Sequence, residues 1–358
     1  MKKSSAVILI FLSLNLPGQN FECFVPEYGQ ELSLSLLPNK KVYFVGETHN
    51  IASNDLLDYQ FVELLSKKYG LRTIIKEGSY SYIYFLNEYL QTGNENLLDT
   101  LSNSLGSFEE EQRAFLKRLY ELNSIQVESE KIEIYSIDAE SFFHIPTLVR
   151  YWEVKWGIPP NNVVSQTLKT LGSFKSSAFT LFPEPKDKKI IEKIVAEVKI
   201  SLDANEKLFR DYLNDDFLHL KMIIENNATK RRNEKSMEDN FQLLHNLIGR
   251  DRYYFSYGKL HAQKRKGWLA DRINKSEDFL NSVVSVKPIY KNSTFYWRGD
   301  ELELNDYEEF NSEQKMKISS FECDESWMLI DSKAISDDKA FDFYIIASGQ
   351  KGVTIIEN

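Results

Sequence analysis

Short apolar runs alternate with longer amphipathic stretches along the first 138 residues. Val42-Tyr43-Phe44-Val45 is β-branched and aromatic, stops at Gly46, and predicts a buried strand. In residues 54–69, Leu56, Leu57, Phe61, Leu64 and Leu65 recur at helical spacing. Ser53 or Asn54 would cap that helix and Gly70 would stop it. Thr73–Lys76 predicts a second strand, ending in Glu77-Gly78-Ser79. A helix follows over Tyr80–Gln91, halted by Gly93, and a strongly amphipathic one over Glu109–Val127. Ile132–Ile137 predicts a third strand, ending in Asp138. Strands alternating with helices are the signature of a parallel sheet with helical crossovers.

The rhythm then changes. Residues 160–248 read as helical almost throughout, broken near Pro183 and Pro185. The last helix there puts Met237, Phe241, Leu244 and Ile248 on one face, with His245 beside them as a partnered structural histidine. Arg252–Ser256 is a further strand, leading into Tyr257-Gly258-Lys259-Leu260-His261. A helix over Trp268–Asn274 and strands over Ser282–Tyr290 and Phe341–Ser348 complete the pattern. The acidic stretch Gly299–Gln314 reads as an exposed excursion. The expected fold class is α/β: a central, mainly parallel sheet flanked by helices, with a helical insertion over 160–248 capping the strand-end cleft. Residues 20–358 form one domain in this reading.

The N-terminus changes the picture. Met1-Lys2-Lys3 is basic, Ala6–Leu14 is apolar apart from Ser13, and Pro17-Gly18-Gln19 breaks the run. That is the order of a secretory leader, so residues 1–19 are expected to be a signal peptide and the protein exported, periplasmic or extracellular. The run is too short to span a bilayer, and no other stretch is long and apolar enough. The net charge of -9 argues against nucleic-acid binding. The basic clusters Lys230-Arg231-Arg232 and Lys264-Arg265-Lys266 read as solvated helix ends. Cys23 and Cys323 are too few for a cysteine metal site, and could pair or stay free.

Chemistry gathers at strand ends. Glu47 and His49 follow the first strand, Glu77 the second, Asp138 the third and His261 the fourth. Parallel α/β sheets bind ligands beyond the carboxyl ends of their strands. If these strands are neighbours, all five side chains meet along one edge, with Asp138 the one best suited to capping or support. Two histidines and two glutamates serve metal-free hydrolysis, in which one histidine takes a proton from water and the other stabilises an oxyanion. They equally serve a divalent metal such as Zn or Mn, held by His49, Glu77 and His261, or haem held by His or Tyr. There is no H-E-x-x-H motif and no G-x-S-x-G elbow.

Gly46-Glu47-Thr48-His49, then Glu77, then Tyr257-Gly258-Lys259-Leu260-His261 resembles the erythromycin esterase-like superfamily, which is related to a haem-uptake lipoprotein branch and to Tiki/TraB-type metalloproteases. Tyr89-Leu90-Gln91-Thr92-Gly93 and the pair Met237 and Asn240 add to the likeness, which spans Val42–Asp138 and Asn233–Asn274. The resemblance implies hydrolysis of an ester or lactone in a small-molecule substrate. It makes His49 the general base, Glu47 and Glu77 its supports, and His261 the group opposite. Asp138, Lys259, Arg232 and Asn240 are the supporting candidates. The metalloprotease branch implies a metal at similar positions. Esterases usually follow the first histidine with glycine and then an acidic residue, where this chain has Asn50 and Ser53. They commonly carry arginine four residues before the helical methionine, where this chain has Asn233, with Arg232 one residue earlier. These departures bear on the substrate more than on the fold, and Asn50 and Ser53 also suit a degenerate, non-catalytic member kept as a binding or structural protein.

Overall fold

The computed structural model describes residues 20–105, 108–140, 143–173, 185–226, 233–297, 300–321 and 327–356. The expected leader, Arg232 with its basic neighbours, and Cys323 lie outside them. The strands are Phe21–Phe24 (β1), Val42–Glu47 (β2), Thr73–Lys76 (β3), Phe108–Glu109 (β4), Glu133–Tyr135 (β5), Tyr253–Gly258 (β6), Val283–Lys291 (β7), Ser293–Trp297 (β8), Asp300–Leu304 (β9), Trp327–Asp331 (β10), Phe343–Ser348 (β11) and Ile355–Ile356 (β12). The helices are Ser53–Tyr69 (α1), Tyr80–Thr92 (α2), Glu95–Leu105 (α3), Glu110–Ser124 (α4), Ile145–Trp156 (α5), Asn162–Gly172 (α6), Pro185–Ala204 (α7), Glu206–Leu213 (α8), Phe217–Glu225 (α9), Glu234–Ile248 (α10), Leu269–Lys275 (α11) and Ser312–Ser319 (α12).

One eight-stranded sheet organises the chain, in the order β1-β10-β11-β7-β2-β6-β3-β5. From β11 to β5 every neighbour is parallel, while β10 and β1 add an antiparallel edge. The middle strands are buried on both faces, which is why Val42–Val45 and Tyr253–Phe255 read as continuous apolar runs. Successive residues of β6 point to opposite faces. Tyr254 meets Phe61 of α1 on one face. Tyr253 and Phe255 meet Phe241 of α10 on the other. The sheet is thus covered on both sides, and α10, the last helix of the insertion, is part of its core. His245 on α10 pairs through Nδ1 with the Tyr253 hydroxyl at 2.8 Å, as a structural histidine should.

Several expectations need correction. The edge strands β1 and β10 and the helices α3 and α5 are additional to those expected. α5 begins at Ile145 with a proline in its first turn, where the missing amide costs nothing. The third strand is shorter than its apolar run. The acidic stretch is exposed over most of its described part, as expected, but it is neither irregular nor exposed throughout. Ser293–Trp297 and Asp300–Leu304 form a hairpin, and the 3-10 turn Asp306–Glu309 then buries Asp306 and Tyr307. Acidity disguised a segment that delivers a carboxylate to the strand ends.

The chain's own tail straps this edge. Tyr296 and Val353 both donate backbone amides to the Asn50 carbonyl, Ala52 donates to the Lys351 carbonyl, and Ile51 bridges Gly352. β12 then pairs with β4. Cys23 is disulfide-bonded. Among the described residues, no helix is long and apolar enough to cross a membrane.

Candidate functional site

The four strands whose ends carry Glu47, His261, Glu77 and Asp138 are consecutive neighbours in the sheet: β2, β6, β3 and β5. Two glycines let the β2 and β6 ends approach. A Cβ on Gly46 would lie 2.6 Å from the Ala262 Cβ and 3.0 Å from the Lys259 Cα. A Cβ on Gly258 would lie 2.9 Å from His49 Nε2. Neither position accepts a side chain without moving the site.

His49 sits between two carboxylates. Its Nδ1 is 3.0 Å from Glu47 Oε1, and its Nε2 is 3.6 Å from Glu77 Oε2. Glu77 is fixed in turn, because Oε2 accepts the Gly258 amide at 2.9 Å. The Lys259 amide donates to the Glu47 carbonyl at 2.9 Å, which locks the β2 end to the β6 turn. The His49 side chain is 52% exposed, so solvent and a ligand can reach the ring. The hydrogen bond to Glu47, and then the charges of Glu47 and Glu77, push His49 up from 6.5 to about 9, against burial and the nearby Lys76 ammonium. The resting ring is therefore an imidazolium at neutral pH.

The His49 loop is tied down. The Thr48 hydroxyl donates to Asp306 Oδ2 at 3.0 Å, and Asn54 Nδ2 donates to the Thr48 carbonyl at 2.8 Å. Asn50 has φ 65, in the left-handed region. Glycine enters that region freely, and asparagine is among the few other residues that do so readily. The departure from glycine at this position therefore preserves the backbone.

The other candidates divide. Lys259 reaches Asp306 and Glu309, each at 3.1 Å, and so belongs to the clamp on Thr48. Asp138 is buried, and its carboxylate accepts the Ala139 amide at 2.8 Å, a local turn contact. Asn240 donates to the Ile137 carbonyl at 2.9 Å and ties α10 to the segment after β5. His261 Nδ1 lies 2.8 Å from Glu234 Oε1, on the first turn of α10. That contact places one end of the insertion at the strand ends. The His261 backbone joins the His49 group through Gly258, whose carbonyl accepts the His261 amide at 3.0 Å and whose amide is held by Glu77.

Beneath His49 lies a buried ionic group that the motifs alone leave out. Lys76 is 3.3 Å from Asp55 and 3.7 Å from Asp58. The Tyr254 and Ser256 hydroxyls each donate to Asp58 at 2.6 Å. Burial alone would lower Lys76, but Asp55, Asp58 and Glu47 together hold it above the usual lysine range. Burial pushes Asp55 and Asp58 up, and lifts Glu109 to about 7. Only α-helical spacing hinted at this: Asp55 and Asp58 lie three apart, on one face of α1.

Among the described residues, no group of three or more His, Cys, Asp and Glu side chains is disposed to hold a metal ion. Carboxylates face both ring nitrogens of His49, and the bound proton competes with any metal for the ring. Of the expected set of His49, Glu77 and His261, His49 Nε2 and Glu77 Oε2 lie 3.6 Å apart.

No family model matches the sequence, and no curated protein does. Solved structures do match in fold. A Bacillus cereus protein aligns with a TM-score of 0.62 at 11% identity, over 88% of this chain and 90% of its own. A succinoglycan biosynthesis protein aligns at 0.59 with 15% identity, over 88% and 89% of the two chains. An erythromycin esterase mutant in its open conformation aligns at 0.59 with 11% identity, over 87% and 91%. At these identities the likeness shows a shared α/β fold.

Proposed function

We propose that this protein is an exported hydrolase that directs water at the carbonyl of an ester or lactone in a small molecule. The reading is carried by one observation: a half-exposed histidine held between Glu47 and Glu77 where β2, β6 and β3 end. The fold shared with an erythromycin esterase supports the reaction class.

The roles follow from the distances. The 3.6 Å between His49 Nε2 and Glu77 Oε2 is long for a direct hydrogen bond. A water seated beside both atoms would have His49 to take its proton and Glu77 to orient it. Glu47 holds Nδ1, fixes the ring and stabilises the imidazolium formed when the proton arrives. His261 lies on the neighbouring turn and, in its imidazolium form, stabilises the developing oxyanion through the Nε2 hydrogen. The base form is scarce in the resting site. With His49 at about 9, about one ring in a hundred is neutral at pH 7.

The test is a pH profile of kcat/KM on any ester or lactone from a screening panel. General-base action by His49 requires a rising limb that levels near pH 9, absent in His49→Gln. A profile falling through pH 9 would assign His49 to acid catalysis. Unchanged turnover in both His49→Ala and Glu77→Ala would remove the site assignment altogether.

A further inference from the structure

We propose that Glu234 is the positioning residue for His261, so that the helical insertion supplies an essential part of the site through the first turn of α10. The proposal rests on the hydrolase reading for its kinetic arm, and on the geometry alone for its spectroscopic one.

The His261 backbone is fixed on both sides. Its amide donates to the Gly258 carbonyl at 3.0 Å, and its carbonyl accepts the Ala270 amide at 3.0 Å. The ring stands edge-on to Tyr257 and Trp268, with centroids 5.8 and 6.5 Å away. What remains is the choice of tautomer. Glu234 Oε1, 2.8 Å from Nδ1, makes it. A carboxylate only accepts, so Nδ1 carries a hydrogen; the neutral ring then has its lone pair on Nε2, and the imidazolium adds there the hydrogen that an oxyanion accepts. This is the same device as Glu47 on His49, but built from a different part of the chain.

α10 is held firmly enough to serve. Asn233 and Ser236 form a reciprocal capping box at its start. Arg272 of α11 grips Glu238 at 2.6 Å, and Asn240 bonds to the Ile137 carbonyl. Glu234 itself is expensive to keep. Its Oε2 is buried and has no hydrogen-bond partner among the described residues. A half-satisfied buried carboxylate costs free energy, although its place in the first helical turn returns a part. A residue kept for stability alone would be a poor choice here. A residue kept to orient a histidine need satisfy only the oxygen that does so.

The experiment compares wild type with Glu234→Gln, Glu234→Ala and His261→Gln, by kinetics, thermal unfolding and 15N NMR of the imidazole nitrogens. In wild type, NMR should report His261 with hydrogen on Nδ1. Glu234→Gln keeps an acceptor oxygen and should keep that tautomer. Glu234→Ala should release the neutral ring to the Nε2–H form favoured by a free histidine side chain, and it removes the carboxylate that orients and supports the imidazolium. It should also lower kcat roughly 10- to 100-fold with little change in KM, as loss of an orienting partner does. Its melting temperature should hold or rise. A Glu234→Ala protein with unaltered tautomer overturns the proposal, and so does a kcat loss that merely tracks lost folding. If His261→Gln hydrolyses esters like wild type while the tautomer still depends on Glu234, the positioning proposal stands and the role given to His261 falls.

Discussion

The Glu47→Gln substitution tests the electrostatics at the centre of the site. The new amide keeps an oxygen that can accept from Nδ1 of His49, 3.0 Å away in the native pair, so the ring should stay in place. What disappears is the charge. Glu47 provides the largest upward push on His49, through both its hydrogen bond and its charge. Glu77, at 3.6 Å, remains. His49 should then titrate at least about one pH unit below its native value of about 9.

Stability should follow with a definite sign. A histidine raised from 6.5 to about 9 contributes stability that is complete below pH 6.5 and is lost as pH rises through 9. A rise of that size corresponds to about 3 kcal/mol without screening. The ring is half exposed, so roughly 1–2 kcal/mol is the realistic size. Urea unfolding at pH 6 and pH 9.5 should show that difference in wild type and a smaller one in Glu47→Gln. NMR titration of the His49 ring reads the pKa directly. A wild-type value below 7, or one that does not move in Glu47→Gln, refutes the account of the site.

Four further outcomes are expected. Gly258→Ala places a methyl 2.9 Å from His49 Nε2, so it should cut kcat at least about tenfold while unfolding measurements move little. Asp306→Ala frees Thr48 and strips Lys259 of one partner; it should cost about 1–3 kcal/mol in urea unfolding and lower turnover as the His49 loop loosens. Phe241→Ala removes the ring that packs on Tyr253 and Phe255, and should cost about 3–5 kcal/mol by the same assay. Dialysis against a chelator should leave turnover intact; stoichiometric metal, or a Soret band, that vanishes in His49→Ala with His261→Ala would instead make the site a metal or haem centre.

The parallel sheet was legible because its strands are buried on both faces. Burial of that kind writes continuous apolar runs such as Val42–Val45, each ended by a glycine or a charge. The group of Glu47, His49 and Glu77 was legible for the same reason, since a strand end fixes where the next residues go. β10 was not. It is a short strand of five residues near the sheet edge, with no turn signal that sets it apart from an irregular apolar stretch. The acidic segment before it is mostly exposed as read, but its acidity hid one exception, because the carboxylate of Asp306 is buried by partners distant in sequence, Thr48 and Lys259. Glu234 was invisible for a related reason. Its partner lies 27 residues away across a helix and a strand, and nothing in the spacing joins them.

The same contrast explains why position 50 accepts a residue other than glycine. Position 50 follows the histidine directly and must adopt φ 65, while its carbonyl accepts two amides, from Tyr296 and Val353. Those demands fall on the backbone, and asparagine meets them nearly as well as glycine. The side chain is then spare, and it stands one residue from a half-exposed His49. Asn50→Gly should therefore leave folding almost unchanged, because only a left-handed residue is exchanged for a better one. Any change it makes should fall on KM and on the preference among esters, read by comparing kcat/KM across the panel. Loss of stability beyond about 1 kcal/mol would mean that the Asn50 side chain holds the loop after all.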